Sequence, residues 1–138
     1  MNRTIVVGFD GSDCASAALT HAIDIASELG DRIVITFGYE PSNYGEEHSA
    51  HREAVRKLGE EVTEAALAQA RDAGVEAELA LISKRPVQAL LDTAEQHDAR
   101  AIVVGGYGEA PIRGAILGST PHKLLHLSER PVLVVPTD

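Results

Sequence analysis

The chain contains a single cysteine, Cys14, so no disulfide can form within it. A fold stapled by cross-links is excluded, and such cysteine usage fits a reducing cytoplasm, the expected location. Long hydrophobic runs are also missing. None approaches the roughly 18 to 20 apolar residues that span a bilayer. The opening "MNRTIVVGFDGS" carries one arginine and an apolar run too short for a secretory signal. No membrane role is expected. Positive charge is scarce, with 12 Lys and Arg against 21 Asp and Glu, a net charge of -9. An acidic surface repels a phosphate backbone, so nucleic acid is not an expected partner. A single nucleotide can still be held locally by backbone donors.

What is present reads as one globular domain over residues 1–138. Hydrophobic residues make up 44% and charged residues 24% of a chain long enough to bury a core. Strand-like and helix-like segments alternate along it, with no linker, low-complexity tract or internal repeat. "TIVVGF" (Thr4 to Phe9) is a β-branched first strand. The following segment, residues 13–29, places Ala15, Ala18, Leu19, Ala22, Ala26 and Leu29 at helical spacing. Ser12 or Asp13 can cap its start and Gly30 can end it. "RIVITFGY" (Arg32 to Tyr39) is a second strand, and the polar "EPSNYGEE" reads as a loop.

A long helix is expected over roughly His48 to Ala73, with Val55, Leu58, Val62 and Ala65 as its buried stripe and Gly74 closing it. "VEAELALI" forms a third strand. Pro86 suits the first turn of the next helix, whose face is marked by Val87, Leu90, Leu91 and Ala94. "AIVV" (Ala101 to Val104) is a fourth strand. A short helix over about Thr120 to Ser128 precedes the last strand, "PVLVV" (Pro131 to Val135). This alternation implies an open five-stranded parallel sheet with helices on both faces, a Rossmann-like α/β fold.

In such sheets ligands bind beyond the carboxyl ends of the strands, where strand order reverses. The orders 3-2-1-4-5 and 2-1-3-4-5 both fit the alternation, and they place that crevice beside different strands. The first is favoured. "DGS" (Asp10 to Ser12) follows the first strand and the glycine-rich "GGYGEAPIRGAILGST" (residues 105–120) follows the fourth, whereas "SKRP" after the third has no glycine. Asp10 should therefore face the loop starting at Gly105. Glycines let backbone approach a ligand closely. Gly118 and Ser119 fall at the start of a helix, where free amides and the helix dipole favour an anion, and Thr120 adds a hydroxyl. The loop is not a P-loop, since no Lys follows its second glycine, nor a G-x-G-x-x-G fingerprint.

The spacing Gly105-x2-Gly108-x9-Gly118-Ser119 resembles the G-x2-G-x9-G-[S/T] nucleotide motif of the universal stress protein family. "IVVGFDGS" is similar to that family's first strand and its Asp, and "GSTPHKLLHLSERPVLVVP" to its closing helix and strand. The resemblance covers the whole chain. It implies an adenine nucleotide alpha hydrolase-like fold and binding of an adenine nucleotide, ATP with or without Mg2+, by a stress-response module. By the same resemblance, Gly8 and Phe9 lead into the site and Asp10 holds the ribose. Phe37 and Gly38 lie against adenine through their backbone. Gly105 and Gly108 line ribose and α-phosphate, and Gly118, Ser119 and Thr120 bind phosphates. It further implies a homodimer paired through the edge strand Val132–Val135, a strand that carries no charge to protect it.

Two other functions stay open, a slow ATPase or phosphotransferase on the same site and a protein-interaction module that binds no nucleotide. Binding is preferred to catalysis because phosphoryl transfer needs a group that orients the nucleophile. Asp10 is the one placed carboxylate, and the ribose occupies it. The pairs His48/His51 and His122/His126 could each supply two metal ligands but show no third, and solvated helix faces explain them. Cys14 reads as a packed thiol, and Lys84 and Arg85 as a solvated turn.

Overall fold

The computed structural model describes residues 3–39, 45–106 and 119–136. Its elements in chain order are β1 (Thr4–Gly8), α1 (Asp13–Leu29), β2 (Arg32–Gly38), α2 (Gly45–Asp72), β3 (Ala77–Ile82), α3 (Pro86–Gln96), β4 (Ala101–Gly105), α4 (Ser119–Leu127) and β5 (Val132–Val135). The strands form a parallel sheet of order β3-β2-β1-β4-β5, as expected. Residues 45–47, expected in a loop, belong to α2. Glutamate is a good helix former, and polarity alone does not distinguish a solvated first turn from a loop.

The period of two along the strands divides the core between the faces of the sheet. Ile5 and Val7 of β1, with Ile33 and Ile35 of β2, pack beneath α1 and α2. Val6, Val34, Ile102 and Val104 pack on the other side with Leu90 of α3 and Leu124 of α4. Ser12 caps α1, its hydroxyl accepting from the Ala15 amide at 3.2 Å. Gly30 and Gly74 take the left-handed conformation at the ends of α1 and α2, with φ of 72° and 79°.

The inward face of α2 differs from the expected stripe. Leu58 is 57% exposed and Ala65 is exposed, while Gly59, Thr63, Ala66 and Ala70 are buried. Phe37 sets this rotation. A Cβ on Gly59 would lie 2.4 Å from its ring, so the helix can approach β2 closely only with the glycine facing inward. Thr63 tolerates burial because its hydroxyl donates to the Gly59 carbonyl at 2.6 Å. Leu29, expected to face the core, is half exposed at the last turn of α1.

At the amino ends of the strands Asp31 ties three of them together. Its carboxylate accepts from Arg100 Nε at 2.6 Å and Nη2 at 3.3 Å, and from the Arg3 amide at 3.0 Å. These residues immediately precede β2, β4 and β1. Burial works to raise the Asp31 pKa. The Arg100 hydrogen bond, the Arg3 amide and the charge of both arginines outweigh it and hold the carboxyl below its ordinary value.

A carboxylate with a lowered native pKa stabilises the fold fully above its unfolded value of about 3.9. That contribution fades as pH falls through the lower native value. Asp31→Asn should therefore cost about 1.5 to 3 kcal/mol at pH 7. Urea midpoints of parent and variant should converge as pH falls below about 4; a gap that stays constant to pH 2 would contradict this role.

Candidate functional site

The chain leaves β1 through α1 toward β2, and later crosses back through α3 to β4 on the other side of β1. The loops after β1 and β4 therefore diverge, and a cleft of about 240 Å³ opens between them at the carboxyl ends of the strands. Phe37 and Gly38 of β2 lie on one flank, Val104 and Gly105 of β4 on the other, and Gly8, Phe9 and Asp10 between them. Pro86 at the start of α3 and Thr120 and Pro121 in the first turn of α4 close it from the side.

Asp10 stands at the exposed lip, where the turn Asp10–Gly11–Ser12 fixes it. Its Oδ1 accepts from the Ser12 amide at 2.9 Å. The turn needs Gly11, whose φ of 85° is strained for residues with a side chain. Because Ser12 also caps α1, one short segment joins the end of β1, the carboxylate and the helix start.

Gly105 has a packing duty that the sequence did not suggest. A Cβ there would fall 2.5 Å from the Cys14 carbonyl oxygen and 2.7 Å from Cys14 Cβ. The end of β4 is thus pressed onto the first turn of α1, and this contact forms the floor of the cleft. Cys14 is buried beside it.

Of the residues singled out in the sequence, Gly8, Phe9, Asp10, Phe37, Gly38, Gly105 and Thr120 line the cleft together. Ser119 begins α4, but its side chain lies outside the described residues, as do Gly108 and Gly118. Thr36, Pro86 and Leu90 were missed. Strand parity puts Thr36 on the same face as Gly38, and Leu90 lies one helical turn beyond Pro86, so both signals were available.

The walls are mainly apolar, and the polar groups sit at separate points. They include the Asp10 carboxylate at the lip, the Ser12, Thr36 and Thr120 hydroxyls, and the free amides expected at the start of a helix. Such a lining suits a flat apolar group, hydroxyl donors beside Asp10 and an anion near α4. Lys84 is engaged away from the cleft in an ion pair with Asp92, whose carboxyl is held below its usual value first by that hydrogen bond and then by Gln88. The His122 and His126 rings meet edge to face at 4.9 Å. Among the described residues no three His, Cys, Asp or Glu side chains gather into a metal-binding group. The side chains of His48 and His51 lie outside the described residues. Nor is any described helix long and apolar enough to cross a membrane.

Comparison with known proteins agrees over nearly the full length. The chain is 31% identical over 150 residues to the universal stress protein YxiE of Bacillus subtilis, covering 98% of this chain and 99% of the relative. A universal stress protein crystallised with cAMP superposes with a TM-score of 0.79 at 30% identity, covering 99% of this chain and 98% of that one. One from Archaeoglobus fulgidus in complex with dAMP gives 0.69 at 25% identity, covering 96% and 97%. The model of the universal stress protein family matches residues 1–136, and the chain belongs to that family.

Proposed function

We propose that this chain binds an adenine nucleotide, ATP foremost, in the cleft between β1 and β4, and that it acts as a nucleotide-binding regulatory module in a stress response. The observation that carries this reading is the placement of Asp10. Its carboxylate is held by the Ser12 amide at the mouth of an apolar cleft that also reaches the first turn of α4. A ribose at the lip would give its hydroxyls to Asp10, leaving the base to the β2 flank and the phosphates to the helix start. Two structural relatives hold adenine mononucleotides, cAMP and dAMP. The intact spacing from Gly105 to Ser119 favours a triphosphate by family resemblance. Mg2+ would arrive on the phosphates, since among the described residues Asp10 is the one carboxylate lining the cleft. With that carboxylate engaged by ribose, binding is preferred to phosphoryl transfer. A buried lone cysteine suits a cytoplasmic protein.

We further propose a homodimer paired along β5. It is an edge strand without charged residues, and Leu133 on it is 39% exposed. Light scattering at micromolar concentration should give twice the chain mass, and a monomer alone would contradict the pairing.

Asp10→Ala removes a charged hydrogen-bond acceptor worth about 1.5 to 3 kcal/mol. ATP binding by calorimetry should weaken roughly tenfold to a hundredfold while the thermal melt stays cooperative. Unchanged affinity in the folded variant would take Asp10 out of the site.

A further inference from the structure

Among the described residues, the buried threonine hydroxyls are bonded, with one exception. Thr4 accepts from Arg32 Nε at 3.1 Å, Thr63 donates to the Gly59 carbonyl at 2.6 Å and Thr93 to the Ala89 carbonyl at 2.7 Å. Thr36 is 2% exposed, and among the described residues its Oγ1 is the buried side-chain polar atom without a partner. Folded proteins rarely leave such an atom unsatisfied, because valine fills the same space without the hydroxyl. Here the neighbours along β2 are Ile33, Val34 and Ile35, so a valine would suit the strand.

The exception falls at the cleft. Thr36 lines it and pairs in register with Gly8 of β1 on one side and Ala80 of β3 on the other. Both neighbours are small. By strand parity Thr36 shares the sheet face of Val34, beneath α3, where Leu90 and Pro86 supply apolar cover to the cleft. Across β1 from this point lie Gly105 and the first turn of α4. The anion-favouring end of the cleft and Thr36 are therefore on opposite flanks, with Asp10 between them.

We infer that the Thr36 hydroxyl is a specificity-determining contact to the base of the bound nucleotide, an inference that rests on the nucleotide reading above. A threonine hydroxyl both donates and accepts. The edge of a purine offers ring nitrogens that accept and, in adenine, an amino group that donates. A base seated against Leu90 and Pro86 would give the hydroxyl the partner that the protein withholds. A phosphate would not, because it belongs to the flank with free helix amides.

The test uses the full chain and calorimetry with ATP and AMP on the parent, Thr36→Val, Thr36→Ala and Thr36→Ser, with thermal melts of each protein alone. Thr36→Val should melt no lower than the parent and bind both nucleotides about tenfold more weakly. The factor should be the same for ATP and AMP, which share the base. Thr36→Ser should retain most of the affinity, and Thr36→Ala should lose it as Thr36→Val does. A hydroxyl satisfied by an internal water would give the opposite pattern, a lower melt with affinity unchanged, and would overturn the inference. Loss confined to ATP would do so too, by assigning the contact to phosphate. If the parent binds and Thr36→Val binds equally, this inference alone fails. If the parent binds neither nucleotide, the functional reading fails and takes this one with it.

Discussion

Val6 and Val7 have no exposed surface, and that burial determines where everything else can go. A strand covered on both faces and paired on both edges must lie in the middle of its sheet. β1 pairs with β2 on one side and β4 on the other, so the chain builds outward in one direction and then returns to build in the other. Right-handed crossovers then force α1 and α2 onto one face and α3 and α4 onto the opposite face. The two core clusters follow this division, with Ile5 and Val7 on one side and Val6 on the other. A crevice at the carboxyl ends of β1 and β4 is the geometric consequence. The crevice opens where the two directions part.

The two ends of the sheet are chemically unlike. At the amino ends a buried carboxylate is matched by Arg100 and the Arg3 amide, and three strands are tied together. At the carboxyl ends the Asp10 carboxylate is exposed and held by a backbone amide, and the Thr36 hydroxyl has no partner among the described residues. Polar groups are thus consumed where the sheet must hold and left available where a ligand would sit. Gly105 joins the two requirements. Its missing side chain lets β4 press on Cys14 where both line the cleft.

Much of this arrangement could be read from the chain. β-branched runs alternating with helical periodicity gave the elements, and Ser12, Gly30 and Gly74 marked helix ends by their residue type alone. The strand order followed from asking which strand ends were followed by glycine. What could not be read depends on contacts distant in sequence. Gly59 faces inward because of the Phe37 ring, and a helical pattern that scores leucine above glycine puts Leu58 there instead. Asp31 and Arg100 are 69 residues apart, and nothing local to either pairs them. Thr36 looks like an ordinary strand residue until the partners of every buried hydroxyl are counted.

The reversal point beside β1 is the proposed nucleotide site. Backbone amide NMR shifts followed during an AMP titration test it most directly. Saturable shifts should concentrate at Gly8, Phe9, Asp10, Thr36, Phe37, Gly38, Gly105 and Thr120. Amides around Asp31 and Arg100, at the far ends of the same strands, should stay still. Saturable shifts that spare the ends of β1, β2 and β4, or no saturable shifts at all, would contradict the account.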